Sequence, residues 1–443
     1  MPAPEPPPHG PAPRAAARPA AVAGAAPDDP PAVPSPGQPG DPGFGRLVAA
    51  LVIGQLGLHS TMAGVRMAAA LQTLREGHSA WTVGVLLALF AAAPVLTAWR
   101  SGQLADRHGY HPMVHGAVGL AWLGAAAALA STFAPGVWHL ALLFAAAMLT
   151  GTAANVGVLT IQHTAGLAAR DTTERMRVFS WLGVAPSFSN VIGPVAIGVM
   201  IDAFGFAAGY ALMMVLPGVT WLAARRVPRR RPLPARGEAA AARTAWSLLK
   251  APGMRRLLTV NWLLSMSWDV HAFAVPLLGH ERGFNASTVG LILGTFTFAV
   301  TGIRLVIPLL AHRLREVTVM RAAMVGTALV FAAYPLAPNA WVMGALAVLL
   351  GVSLGSVQPM IMTVLHQVTP PGRHGEALAL RSMAMNATST VMPLVFGASG
   401  AVVGTAALFW AVGAALVAGS RMPRRLAPGA RASRGDGEAP PPR

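Results

Sequence analysis

The chain has 443 residues, of which 54% are hydrophobic and 11% charged, with a formal net charge of +17 and no cysteine. A soluble domain of ordinary composition carries about 25% charged residues, so this composition excludes a water-soluble globule. The missing cysteines exclude a disulfide framework and thiolate chemistry, and no cofactor motif is evident. Lys250 is the one lysine; every other fixed positive side chain is an arginine.

Residues 1–43 are rich in Pro, Ala and Gly and contain no apolar stretch, so they read as a disordered tail without a signal-peptide core. Twelve apolar runs follow, near 46–70, 82–99, 113–132, 138–163, 178–201, 206–224, 257–279, 288–308, 318–336, 340–366, 376–399 and 402–420. About 20 apolar residues cross the ~30 Å hydrocarbon core of a bilayer. Pro135-Gly136, Pro338-Asn339 and Pro370-Pro371-Gly372 mark turns between runs. The expected fold is therefore an all-α membrane protein of twelve transmembrane helices in two pseudo-symmetric six-helix halves. The halves cover 44–224 and 257–420, with a basic linker at 225–256 and a second tail at 421–443.

The positive charge is sorted by side. Twenty-eight of the 33 Lys and Arg residues fall in the tails and the even-numbered connections; only Arg75 and Arg282 fall on the other side, and Arg66, Arg304 and Arg381 lie within spans. That asymmetry predicts cytoplasmic termini. It also accounts for the net charge without nucleic acid, which is not expected as a partner. The arginine, alanine and proline bias suggests a GC-rich bacterial genome, and with it a multi-pass protein of the cytoplasmic (inner) membrane.

The chain also repeats itself. Ala80-Trp81-Thr82-Val83-Gly84-Val85-Leu86 recurs 206 residues later as Ala286-Ser287-Thr288-Val289-Gly290-Leu291-Ile292. Between the second and third apolar runs stands the charged segment Gly102-Gln103-Leu104-Ala105-Asp106-Arg107-His108-Gly109-Tyr110-His111-Pro112. It resembles the signature Gly-x-Leu-Ala-Asp-Arg-x-Gly-Arg-Lys of the major facilitator superfamily of secondary transporters, with Tyr110 and His111 replacing the last two basic residues. The resemblance covers about residues 44–420. It implies a transporter rather than an enzyme, and a latch between the halves at Gly102, Asp106, Arg107 and Gly109. Glu376 and Arg381, at the start of the eleventh run, are the expected partners on the other half. The fifth run carries Ser180, Ser189, Gly193-Pro194 and Gly198, a partial match to a motif of the superfamily's antiporters.

Polar side chains in apolar runs usually face the bundle interior or a watery path, and residues three or four apart share a helix face. In the first run Gln55, His59, Met62 and Arg66 share a face; in the seventh, Asn261, Ser265 and Asp269 do. The fifth and eleventh runs show matching stripes, Gly183-Ser187-Asn190-Pro194 and Ser382-Asn386-Ser389-Pro393. In the superfamily the first, fourth, seventh and tenth spans line the central cavity. That implies substrate contacts at Gln55, His59, Arg66, Asn155, Gln162, Asn261, Trp262, Ser265, Gln358 and His366. Asp269 is the one carboxylate deep within a run, about 18 Å along the helix from Leu257 by a 1.5 Å rise. An isolated carboxylate in a low dielectric either pairs or takes up a proton, so Asp269 is the expected proton-coupling residue. His271 falls on another face. A small organic solute, protons and the lipid bilayer are the expected partners of a monomer, with export by antiport ahead of uptake by symport, and a non-transporting membrane receptor or scaffold on the same fold as the alternative of a different class. Gly351-Val352-Ser353-Leu354-Gly355 has the form of a hydrolase nucleophile elbow but lies within an apolar run, outside the strand–turn–helix context that motif needs. No metal site is expected.

Overall fold

A computed structural model describes residues 42–169, 172–229, 246–310, 314–370 and 373–423. Among them the chain is helical, without strands. The helices are α1 (Pro42–Arg75), α2 (Ala80–His108), α3 (Tyr110–Ser131), α4 (Val137–Ala168), α5 (Thr172–Ala224), α6 (Met254–Glu281), α7 (Ala286–Leu310), α8 (Glu316–Ala333), α9 (Ala340–Val368) and α10 (His374–Gly419). Eight segments among the described residues are long and apolar enough to cross a membrane. In hydrocarbon every backbone polar group must be satisfied internally, and a helix does this within one segment.

Where twelve spans are expected, the described residues form ten helical stretches, because two of the stretches each contain a sharp kink. The 53 residues of α5 and the 46 of α10 would reach about 80 Å and 69 Å if straight, far more than a bilayer. Each is interrupted by a glycine, Gly205 at φ 85° and Gly404 at φ 82°. That left-handed region costs a glycine little and other residues much. The chain doubles back there. Leu182 and Ser189, before Gly205, and Met213 and Thr220, after it, all bond to α1: Gln55 Nε2 donates to Leu182 O (3.3 Å), Ser189 Oγ to Leu56 O (3.3 Å), Thr61 Oγ1 to Met213 O (3.5 Å) and Thr220 Oγ1 to Gly54 O (2.8 Å). The expected loop at 102–112 is also mostly helix, since α2 continues through His108 and breaks at Gly109.

Two interfaces position the centre of the molecule, and they mirror each other. A side chain on Gly290 of α7 would strike Pro194 O of α5, and one on Gly198 would strike the backbone at Ala286. A side chain on Gly84 of α2 would strike Pro393 O of α10, and one on Gly397 would strike the backbone at Ala80 and Gly84. Small residues let backbones approach in this way, and such packing drives helix association in lipid. Asp202 strengthens the α5–α7 contact: its carboxylate accepts from the N–H groups of Ala286 (2.9 Å) and Ser287 (2.6 Å) at the start of α7. An acidic group there satisfies orphan donors and complements the helix dipole. Toward the opposite ends of α5 and α7, Gly183 and Gly302 have open space beside them.

Candidate functional site

Between the paired interfaces lies a cavity of ≈ 470 Å³. Its walls come from α1, α2, α5, α6, α7, α9 and α10. α6 runs through the middle and is mostly buried, including Asn261, Asp269 and His271. Its i, i+4, i+8 stripe of Asn261, Ser265 and Asp269 faces the cavity along its length. Across from it α1 contributes His59, Met62 and Arg66.

Asp269 is 5% exposed. Both its oxygens accept from Ser389 Oγ of α10 at 3.3 Å. Arg66 attracts Asp269 electrostatically, but the two close no direct ion pair. Two more arginines face the same space. Arg304 Nη2 donates to Gln358 Oε1 (3.2 Å), and Arg381 Nε donates to Asn261 Oδ1 (3.1 Å). Apolar and aromatic lining comes from Leu87, Phe90, Leu264, Trp268, Val357 and Ile361. Trp268 meets Phe296 edge-on, with ring centroids 4.7 Å apart.

The structure gathers some of the expected residues and disperses others. His59, Arg66, Asn261, Ser265, Asp269 and Gln358 line the cavity together. Gln55 is buried behind the wall on the α1–α5 contact. Asn155, Gln162, Trp262 and His366 do not line it. The helix carrying Asn155 and Gln162, α4, contributes nothing to the lining and packs instead on α3 and α2. Trp262 is one residue round the helix from Asn261 and packs on the apolar core. His366 is exposed in the last turn of α9.

The side chains of Gly102, Asp106 and Arg107 lie outside the described ones. Glu376 accepts from Arg373 three residues earlier, and Arg373 also donates to Ser247 Oγ (2.8 Å) of the short 3₁₀ turn Trp246–Lys250. Arg381, about two turns into α10, lies in the cavity wall and reaches Asn261 of α6.

Trp268 and Phe90 were not anticipated, since an aromatic residue in an apolar run does not stand out. His271 lies on the far side of Asp269, as its spacing implies. It is 1% exposed, packs on Phe296 (4.3 Å) and Tyr334 (5.8 Å), and borders a ≈ 60 Å³ side chamber with Arg66, Asn190 and Trp268. Among the described residues no cluster of three metal-ligating side chains forms.

The family model of the Major Facilitator Superfamily matches twice, over residues 47–264 and 257–439. The chain belongs to the Major Facilitator Superfamily. Membership makes it a multi-pass membrane transporter of small molecules rather than an enzyme. A curated relative, the tetracycline resistance protein, class C, of Escherichia coli, is 26% identical over 356 residues, 75% of this chain and 84% of that protein. Solved superfamily folds superpose on the whole helical body. A bacterial homologue of the iron transporter ferroportin, in an inward-facing state, aligns with a TM-score of 0.66 at 17% identity, covering 87% of this chain and 98% of that one. The nucleoside transporter NupG aligns with a TM-score of 0.65 at 13% identity, covering 86% and 99%.

Proposed function

We propose that this superfamily member is a monomeric, proton-coupled exporter of a small organic solute in a bacterial inner membrane. It works by alternating access, with twelve spans arranged as two six-helix halves and both termini in the cytoplasm. The tandem family match and the mirrored glycine contacts support the two-half layout. Gly205 and Gly404 supply the two divisions that turn ten helices into twelve spans. The efflux-type relative supports export.

The observation that carries the reading is Asp269, a carboxylate buried on the central helix in a ≈ 470 Å³ cavity, held by one hydroxyl and attracted by Arg66. Such a group can exchange a proton with each turnover while its surroundings stay intact. In this reading, which the arginine asymmetry supports, the Asp202 end of α5 lies outside. The tight glycine contacts then close the outer side, and the open space at Gly183 and Gly302 faces the cytoplasm. In this arrangement His59, Arg66, Asn261, Ser265 and Gln358 contact substrate, and the 102–109 segment closes the cytoplasmic side in the alternate state.

Proteoliposomes carrying wild type and Asp269→Asn test this. Solute-triggered proton movement in wild type, absent in the variant, is the expected result. Solute movement with no proton flux in either protein would make Asp269 a structural residue and the protein a facilitator. Uptake by proton symport is the second reading, favoured by Arg304 and Arg381, which meet no carboxylate among the described residues.

A further inference from the structure

The cavity holds a surplus of positive charge and of hydrogen-bond donors. Three arginines face it, Arg66, Arg304 and Arg381, against one carboxylate, Asp269. Asp269 already has partners in Ser389 and in the field of Arg66. Arg304 and Arg381 meet no carboxylate among the described residues; each touches only an amide oxygen, and the two act on each other as like charges. Arg381 is 7% exposed. A buried charge without a counter-charge is expensive.

Four atoms of lining residues are unmatched; Nδ1 of His59 takes either role with its tautomer, and the other three share one polarity. Nε of Arg66, Nε of Arg304 and Nδ2 of Asn261 are buried without an acceptor. All three are donors, and all three residues line the cavity. Asn261 cannot turn its oxygen toward them, because that oxygen already accepts from Arg381. The unmet demand is for acceptors carrying negative charge. It is concentrated where α6, α7, α9 and α10 meet, opposite the apolar surface of Leu87 and Phe90 on α2.

We propose that the transported solute is an organic anion, with its carboxylate, sulfonate or phosphate group between Arg304 and Arg381 and its apolar body against Phe90 and Trp268. This rests on reading the cavity as the transport site, and it holds for either direction of transport. Guanidinium groups bind planar oxyanions through paired, charge-assisted hydrogen bonds. Arg304 and Arg381 become partners through the anion instead of repelling across the space. Asn261 would bind it through the free half of its amide.

The test is equilibrium binding to the purified full-length chain in detergent, using benzoate, naphthalene-2-sulfonate and phenyl phosphate. Benzyl alcohol and benzylamine serve as neutral and cationic counterparts of the same size. At least one anion should bind about tenfold or more tighter than the neutral and cationic probes. Arg304→Gln and Arg381→Gln should each abolish that preference. Arg381→Lys should keep part of it, and Arg75→Gln, outside the cavity, should change nothing. Size-exclusion profiles confirm that each variant is folded. An anion preference absent in wild type, or undiminished in both glutamine variants, would overturn the proposal. Displacement of a bound anionic lipid, phosphatidylglycerol, by none of the soluble anions would assign the arginines to a lipid headgroup and also overturn it. Proton-coupled flux of a neutral or cationic solute would defeat the anion assignment and leave transport standing. Anion binding with no flux would defeat transport and leave the site.

Discussion

The two halves share a backbone plan and divide the chemistry unequally. The α5–α7 and α2–α10 contacts repeat each other glycine for glycine: Gly84 and Gly290 stand 206 apart, Gly198 and Gly397 stand 199 apart, and each pair meets the same kind of backbone surface. The same offsets carry Asp269 onto Ala63, Arg304 onto Ala98 and Arg381 onto Leu182. The second half holds three of the cavity's charges where the first half has apolar residues; Arg66 in turn falls on Ala272. At the end of the helices where Asp202 lies the contrast is again chemical. Glu76 ties the first hairpin to His139, whose Nδ1–H donates to Ser131 O (2.8 Å), while Arg282, at the repeat position of Glu76, ties the second repeat to Pro335 O (2.6 Å) and Ala337 O (2.7 Å). In the proposed alternating-access cycle the symmetric frame would rock, and the asymmetric filling would decide what it carries.

Removing the charge of the second half should have the largest effect. Asp269→Asn is expected to cut proton-coupled flux about a hundredfold or more while leaving the fold intact, because Ser389 can still bond the amide. Leu182→Arg, which would give the first half a mirror of Arg381, is expected to restore none of it, as expression and flux of the double variant would show.

Next come the shared contacts. Gly290→Leu would drive a side chain into Pro194 O and forbid the closed outer interface. Flux should fall at least about tenfold, and single cysteines introduced along α5 near Val195 should become reactive to membrane-impermeant thiol reagents. The natural chain has no cysteine to interfere. Unchanged labelling would show that the interface does not close that side. Gly84→Leu should match it on the other half, and a much weaker effect there would break the symmetry.

A smaller effect tests the linkage between proton and solute. The groups facing Asp269 are His59 and Arg66 of α1, Arg304 of α7, and Arg381 and Ser389 of α10, with His271 behind it on α6. Protonation of Asp269 removes the one negative charge that the described residues give the cavity lining, so an anion should bind more tightly as pH falls. The increase should be a few-fold and should disappear in Asp269→Asn. Such cooperation is the linkage that the second reading, uptake by symport, requires, so an anionic solute and export by antiport are alternatives that this titration separates: cooperation keeps the anion with symport, and competition keeps antiport.

The outer ties come last. Arg282→Gln should lower thermal stability by about 1–3 kcal/mol, since two carbonyls lose a charged donor. Glu76→Gln should cost less, about 1 kcal/mol or below, because Glu76 is partly exposed. Melting of the two purified variants compares them directly.

The sequence discloses the fold through runs of apolar residues and their recurrence, and part of the site through contrast. Asp269, Arg66, Asn261, Ser265 and Gln358 stand out because polar groups are costly in a membrane, and their spacing keeps them on one face. The same contrast singles out Asn155 and Gln162, but spacing cannot say how α4 is rotated against its neighbours, and that rotation keeps both out of the cavity. Arg381 is visible as a charge within a run, yet its partner on α6 depends on packing between helices far apart in the chain. Trp268 and Phe90 are silent because they resemble their surroundings. The reversals inside α5 and α10 rest on the φ of one glycine each.

Those glycine turns have a mechanical consequence. Gly205 and Gly404 join two antiparallel segments with almost no connecting chain, so neither junction contains slack. Any tilt of the segment before Gly205, which walls the cavity at Asn190, is passed to the segment after it, where Val215 and Leu222 are exposed on the outer surface. In the other half the same holds from Ser389 to Trp410. The cavity is thus geared to the surrounding lipid, and the thickness and lateral tension of the bilayer become part of the load against which each transport cycle works.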